Sequence, residues 1–545
     1  MSSGLPLPFP YKFDVSDDHN PGIRLYGKRF IKEQTVLENA VEFMAILFSN
    51  KWIGKNEASS DLFPSIEDLS DWACSSDQLS YKPPIKLNLK LFSFFGVTPF
   101  DSRHQVHQDQ FRKIAEELEN KIETNDGKPE EKVEILEQLL QGFQGIGFNR
   151  NWCAQTFFPI STKLLSQETI WNESIAKRDP ISKWSESINR FRYYYSVSKH
   201  RFMARGGELL YLQLCNLFIT DKNKIEDFVY SLDLNHTERD PHLLYDLLQD
   251  NFKTLKDNYS SAFEKLIDFI ENLDLETHNQ VNKESESQSC EWCPQESWRE
   301  GLLFAVEMNR LMECKLDPVE RLELFITGCS LQILRSLCAQ SIRYSSNQKN
   351  SEGCGSVLGY SWIFTPTGSV SRQQRLASQR NLQEIQVLIQ SALRNDLLLE
   401  NAHKSKKDFE ALLREADTRY GHKLFLYLGK RLGIIAPFKG PGARFIMTDE
   451  ILRYLVLVLL RPGESCEYDL FLQKLYQHYG IAVEGEGLND AVAWSKMPVN
   501  TSIQKENGSW LIDMLRASGF LTELSDGCSI VTNEFTYESS ESRKF

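Results

Sequence analysis

Thr448-Asp-Glu-Ile-Leu-Arg-Tyr-Leu-Val-Leu-Val-Leu-Leu460 is followed by Arg461-Pro-Gly463 and then by Glu467-Tyr-Asp-Leu-Phe-Leu-Gln-Lys-Leu-Tyr-Gln-His-Tyr479-Gly480. Thr448 is a good helix cap, with two acids in the first turn, and Pro462-Gly463 cannot continue a helix, so the first run reads as a helix from Ile451 to Leu460. Leu470, Leu475 and Tyr476 form the inner face of a second helix, closed by Gly480. A third helix is predicted over about Ser502 to Ser518, where Leu511, Met514 and Leu515 recur at helical spacing and Gly519 stops it. Phe520-Leu-Thr-Glu-Leu524 and Cys528-Ser-Ile-Val531 flank Ser525-Asp-Gly527, whose Asp-Gly pair suits the positive φ values of a tight hairpin turn.

Three helices and a hairpin, in that order over 448–535, resemble the winged-helix family. That resemblance implies either DNA contact through the third helix or a protein–protein module. Charge arbitrates between them. From Asp449 to Thr536 there are thirteen acids against six bases, a net −7, and the third helix offers only Lys505 and Arg516 against Glu506 and Asp513. A DNA reader neutralises phosphates with several Lys or Arg, so partner binding is the favoured expectation.

The whole chain has the same bias. Its 545 residues carry 62 Lys and Arg against 75 Asp and Glu, a net −13, with 41% hydrophobic and 11% aromatic residues. These are globular values that exclude a mainly disordered or collagenous chain. A uniformly acidic surface would repel nucleic acid, so a polyanion site needs locally gathered cations. Two cation-rich stretches contain no acid. Ile188 to Gly207 (INRFRYYYSVSKHRFMARGG) carries Arg190, Arg192, Lys199, Arg201 and Arg205 among Tyr and Phe, including Tyr194. Arg419 to Thr448 carries Lys430, Arg431, Lys439 and Arg444 around Pro437-Phe-Lys-Gly-Pro-Gly-Ala-Arg444. Arginines for phosphates and rings for bases make both stretches candidate nucleic-acid strips. The plainer alternatives are a helix whose rings face the core while its arginines pair with acids, and a solvated basic linker.

The fold class expected is mainly α and multidomain, with a small mixed α/β N-terminal part. A length near 150 residues per domain gives about three to four domains. The boundaries read as a mixed region 1–105, a helical domain 106–273, a polar linker 274–297, a helical domain 298–430, a basic loop 431–447, the winged-helix-like domain 448–535 and a frayed tail 536–545. Ile85-Lys-Leu-Asn-Leu-Lys-Leu-Phe92 alternates with period two and predicts a strand. Apolar positions in 111–122 and 133–143 predict two helices, and Leu255 to Leu273 predicts one five-turn helix. Ser345 to Ser371 reads as a Gly/Ser-rich loop.

Catalytic signatures are sparse. No GxxxxGK[ST], HExxH or GxSxG occurs. Cys290-Glu-Trp-Cys293 could share a zinc ion, but no second pair follows at the required spacing, so the expectation is no cofactor, with zinc as the alternative. His104 and His107 read as surface histidines. Eleven cysteines, an odd number set mostly in apolar stretches, fit a reducing compartment. The N-terminus lacks a secretory signal pattern, and the Tyr454–Leu460 run is too short to span a bilayer. A cytoplasmic location without membrane contact is therefore expected.

GFNRNWCAQTFFPIS (147–161) and YYYSVSKHRFMARGGELLYLQL (193–214) resemble segments of uncharacterised bacterial proteins encoded beside phage-defence and DNA-modification genes. The resemblance implies an accessory subunit that works with separate protein subunits of a multi-component system, and it carries over no active-site residue. The resulting expectation is a non-enzymatic scaffold of an antiviral assembly, binding nucleic acid or phosphate through its basic strips. A winged-helix transcription regulator and a zinc- or thiol-dependent enzyme are the alternatives.

Overall fold

The computed structural model describes residues 4–15, 19–27, 30, 34–57, 62–95, 104–123, 127–146, 156–167, 169–196, 206–257, 261–345, 356–405, 408–497, 509–524 and 527–538. The protein is mainly helical and organised around two adjacent helices, Trp298–Glu313 and Pro318–Tyr344, whose side chains are almost all buried. Pro318–Tyr344 is long and apolar enough to cross a membrane, but 94% of its most apolar window lies inside the protein, as in a core helix. Val36–Leu47, Gly206–Phe218, Pro241–Asp257, Arg372–Leu393 and Asp449–Leu459 pack around the pair.

Packing groups the chain differently from the expected boundaries. One apolar core takes residues from Phe9 to Val531, so the N-terminal and C-terminal regions share it. A second core is built from Ile85 to Val281. Leu255, on the Pro241–Asp257 helix, lies in the first core, whereas Ile267 and Ile270, on the Ser261–Asn272 helix, lie in the second. The single helix expected over 254–273 is therefore two helices facing two interiors, and continuous periodicity concealed the change of partner.

Two further expectations are corrected. Leu87–Phe94 is a helix rather than a strand, and every one of its residues is buried. Its polar residues find partners inside the protein: Lys90 Nζ donates to the Gln167 carbonyl at 3.2 Å, and Asn88 Nδ2 to the Glu271 carbonyl at 3.3 Å. With no solvent face, the polar–apolar alternation no longer reports strand geometry. The expected linker 274–297 is ordered and packed: Leu275–Glu284 is a helix, Gln288–Ser289 joins the N-terminal sheet beside Leu79–Lys82, and Trp292 is fully buried.

The Gly206–Phe218 helix crosses Val36–Leu47 at closest range where it begins. A Cβ on Gly207 would lie 2.3 Å from the Phe43 nitrogen and 2.4 Å from the Asn39 carbonyl oxygen, both backbone atoms. Glu42 Oε2 accepts the Gly207 and Glu208 N–H groups at 2.9 and 3.3 Å, a carboxylate placed at a helix N-terminus.

A four-stranded sheet brings distant segments together. Trp362–Pro366, inside the stretch expected to be a loop, runs parallel to Arg444–Met447 on one side and to Ile481–Ala482 on the other. Its Trp-Ile-Phe-Thr run is fully buried, which a short apolar sequence between Gly and Pro permits. C-terminal to it come the helices Asp449–Leu459, Tyr468–Tyr479, Gly485–Trp494 and Trp510–Ala517, and the antiparallel strands Ser465–Glu467, Ser529–Thr532 and Leu521–Glu523 in that spatial order. Thr448 Oγ1 caps the first helix by accepting the Ile451 N–H. Phe471, Leu475 and Tyr479 form the inner face of the second helix, while Leu470 is exposed. The tail is anchored at its start, where Glu538 pairs with buried Arg321 at 2.5 Å and residues 536 and 538 hydrogen-bond to Lys315 and Glu313.

One guanidinium fastens this end to the centre. Arg310, 1% exposed, donates to both Glu238 carboxylate oxygens at 2.7 and 3.1 Å and to the Val458 and Leu459 carbonyls at 3.1 and 2.8 Å. Burial pushes the Glu238 carboxyl upward, but Arg310 and Arg461 outweigh it and hold the group below its usual range. Arg310→Met is expected to cost about 3–5 kcal/mol in urea unfolding, because Glu238 is left buried with half its compensation removed. A depressed carboxyl contributes stability above its unfolded pKa, and that contribution disappears as pH falls through the folded value. The stability gap between wild type and Glu238→Gln should accordingly narrow as pH drops below about 4. Gly207→Ala is expected to lower the urea midpoint by an amount equivalent to about 1–3 kcal/mol, since backbone atoms must separate.

Candidate functional site

The first basic stretch is only partly described: Arg190, Arg192 and Tyr194 are placed, whereas Lys199, Arg201 and Arg205 lie outside the described residues. Phe191, Tyr194 and Tyr195 are buried, with Tyr194 stacked on Trp171 at 5.6 Å and Phe191 on Tyr195 at 4.9 Å. The Tyr194 hydroxyl donates to the Asp179 carbonyl at 3.0 Å and accepts from Arg190 at 3.2 Å. Arg190 meets Asp179 at 2.7 Å, and Arg192 meets Glu286 at 3.1 Å and Glu284 at 3.4 Å. Tyr194 therefore does not offer a face to a base, and both described arginines are neutralised by acids of the chain itself.

The same interior takes a histidine expected at the surface. His107 is fully buried, 4.8 Å from the Trp171 ring and 5.8 Å from Trp184. Burial, together with neighbouring His104, holds its pKa well below the usual value. Cys290 and Cys293 are also buried: the Cys290 N–H donates to the Leu79 carbonyl at 2.7 Å, and Cys293 pairs with Phe9 in a two-stranded ladder. Among the described residues, no group of three His, Cys, Asp or Glu is placed to hold a metal ion.

The second basic stretch has a different environment. Arg444 begins a strand parallel to Trp362–Pro366, in the register Phe364 to Phe445, with those two rings stacked at 5.6 Å. The helix Arg372–Leu393 leaves the neighbouring strand through a short loop and lies against both. Ser378 Oγ accepts the Phe445 N–H at 2.9 Å, and Gln379 Nε2 donates to the Gly442 carbonyl at 3.1 Å, so the basic loop is tied to the helix. Arg372, Arg375 and Gln379 share a helix face by their i, i+3, i+7 spacing. Arg444 is aimed along this face by hydrogen bonds to Thr365 Oγ1 at 3.2 Å and to the Pro366 carbonyl at 3.4 Å. Burial, and then the positive charge of Arg375, lower the Arg444 pKa, as expected for a cation facing a cation.

At the other root of the loop, Lys430 Nζ donates to the Phe438 carbonyl at 3.3 Å, and the Arg431 guanidinium lies 5.4 Å from both the Phe438 and Tyr427 rings. Gly440 and Gly442 have φ of +95° and +83°, a left-handed backbone that glycine adopts without strain, and nearby Phe438 is 53% exposed. Among the described residues, Arg372, Arg375, Lys430, Arg431, Lys439 and Arg444 have no carboxylate partner, whereas nearby Arg380, Arg394 and Arg419 pair with Glu384, Asp417 and Glu415. Arg372 and Arg375 were missed in the sequence, although Gly353 to Gln383 also lacks any Asp or Glu.

The C-terminal segment shows the reverse. Arg453 pairs with Glu320, Arg461 with Glu238 at 2.6 Å, Lys474 with Asp233 at 2.5 Å, Lys496 with Glu384 at 3.3 Å, and Arg516 with Asp513 at 2.8 Å and with Glu523. Lys505 and Glu506 lie outside the described residues. Every described base from Asp449 to Thr536 is thus paired, and four of these pairs reach other parts of the chain.

These environments predict opposite responses to substitution. Tyr194→Ala is expected to cost about 3–5 kcal/mol by thermal or urea unfolding, as a fully buried ring. Arg190→Ala, which breaks a half-exposed pair, should cost no more than about 1 kcal/mol. Lys439→Ala should leave the melting temperature unchanged. No known protein family, curated protein or solved structure matches this chain.

Proposed function

We propose that the chain is a non-enzymatic accessory component of a bacterial nucleic-acid-associated assembly, of the antiviral-defence kind, that holds a polyanion at the segment 430–444, from the end of the helix His422–Arg431 to the start of the strand Arg444–Met447, and meets a protein partner through its C-terminal end. One observation carries this reading: unpaired cations are gathered on Arg372, Arg375, Lys430, Arg431, Lys439 and Arg444, while the described bases of the C-terminal segment are consumed in ion pairs. A phosphate chain gains affinity by replacing counterions around unpaired cations, and gains little from arginines already bound to carboxylates.

The C-terminal segment is read as a winged helix carrying an insertion. Support comes from the order helix, strand, helix, helix and hairpin, with the first strand on the far side of the hairpin. The inserted Ile481–Ala482 and Gly485–Trp494 occupy the place of a simple loop. Its exposed Asp449, Glu450, Glu467, Asp469 and Glu534, together with exposed Leu470, suit a partner with a basic, partly apolar surface. The defence-system part of the reading rests on the resemblance at 147–161 and 193–214.

The test is a titration of the full chain with labelled DNA and RNA across a salt series. Binding at low salt should weaken steeply with ionic strength, and Arg375→Glu with Lys439→Glu and Arg444→Glu should lower affinity by at least about tenfold and flatten the salt slope. Wild-type protein that binds neither nucleic acid nor heparin at low salt would sink the reading. Binding that survives this triple substitution but is lost on Arg516→Glu would move the site to the C-terminal helix.

A further inference from the structure

We propose that the segment 430–444 takes single-stranded nucleic acid, with Phe438, in its loop 437–443, as the platform on which a base stacks; this rests on the polyanion reading above and adds the form of the ligand. The argument starts from an oddity of composition. Phe438 is 53% exposed inside a cluster of cations, where an apolar ring gains nothing from burial within its own chain. It is nevertheless held in place: Lys430 Nζ binds its carbonyl at 3.3 Å, and the Arg431 guanidinium sits 5.4 Å from its ring, with Tyr427 at the same distance from Arg431. The guanidinium is within cation–π reach of both rings, and an aromatic face held beside phosphate-binding cations is the combination that binds unpaired bases without sequence preference.

Duplex DNA would use this arrangement poorly. Its bases are already stacked, so the exposed ring would contribute only at a kinked step. A single strand places phosphates on one edge and base faces on the other. Arg375 lies near Arg444 at one root of the loop, Arg372 is one turn away on the same helix face, and Phe438 and Arg431 are at the other root, with Lys439 next to Phe438 in sequence. Gly440, with φ +95° and no atom within 4 Å of where a Cβ would be, leaves room beside the loop for the strand to pass.

The experiment measures fluorescence anisotropy of the full chain with an oligothymidylate of about twenty nucleotides, a duplex of the same length, and heparin as a polyanion without bases. The expected result is tighter binding of the single strand than of the duplex at equal salt. Phe438→Ala should weaken the single strand by about 5- to 150-fold, the range of one lost stack, and leave heparin unchanged. Phe438→Trp should restore single-strand affinity, which a merely structural role for the ring would not do. Circular dichroism should show all variants folded, since Phe438 contributes little to the core.

Equal affinity for duplex and single strand, or a Phe438→Ala variant that binds the single strand as wild type does, would overturn the stacking proposal. If Arg375→Glu with Arg444→Glu still abolishes heparin binding in that case, the polyanion reading stands alone. If the wild type binds none of the three ligands at low salt, both fall together.

Discussion

Arg310 is the joint on which the rest of the structure depends. Its guanidinium donates to acceptors from two distant segments: the Glu238 carboxylate with the nearby Asp233 carbonyl at 3.5 Å, and the last carbonyls of the Asp449–Leu459 helix. Helix-terminal carbonyls have no partner within their own helix, and a buried cation is the group that both satisfies them and complements the helix dipole. Bidentate pairing with Glu238 removes the cost of leaving that cation uncompensated. A second buried pair, Arg335 with Glu307 at 2.6 Å, links the two central helices, and Arg335 lies 4.3 Å over the Tyr479 ring of the C-terminal segment. The C-terminal end is therefore built into the main core rather than tethered to it.

That docking has an electrostatic consequence. Arg461 and Lys474 lie beside Arg310 and bind Glu238 and Asp233, while Arg453 reaches Glu320 on the central helix Pro318–Tyr344. Cations that might have faced solvent instead hold the segment in place. What remains outside is acidic, while among the described residues the cations around Arg444 and on the first turn of Arg372–Leu393 keep no carboxylate partner.

Element type was legible in the sequence where one face of a helix meets solvent. Gln105–Lys121 and Pro129–Gln141 have exposed polar sides, and their apolar spacing reported them correctly. It failed at one short segment with no solvent face. Leu87–Phe94 is buried all round, and its Asn and Lys bond to carbonyls of other segments, so its pattern carried no geometric information. The supposed linker failed for a related reason: its polar residues are engaged, as where Tyr81 donates to Gln288 at 3.0 Å and Trp184 to Thr277 at 3.1 Å. For the candidate site, the absence of acids pointed to both basic stretches, but only tertiary pairing separates them. Asp179, Glu284 and Glu286 lie outside the first stretch in sequence and neutralise its described arginines, and the parallel strand pairing that sets Arg375 beside Arg444 spans residues too far apart for composition to connect.

The net charge of −13 therefore misleads when it is taken as a property of the whole surface. Electrostatic attraction at physiological salt is felt over about 8 Å, so a ligand at the loop responds to the cations around it and only weakly to the acids elsewhere. On the proposed reading, the acidic remainder discourages a polyanion elsewhere, while the cations around Arg444 attract it locally. The buried pairs at Arg310, Arg461 and Lys474 sharpen this contrast, because each cation drawn inward makes the C-terminal surface more acidic. The interactions that join the C-terminal segment to the core thus also set the charge contrast on which the proposed function rests.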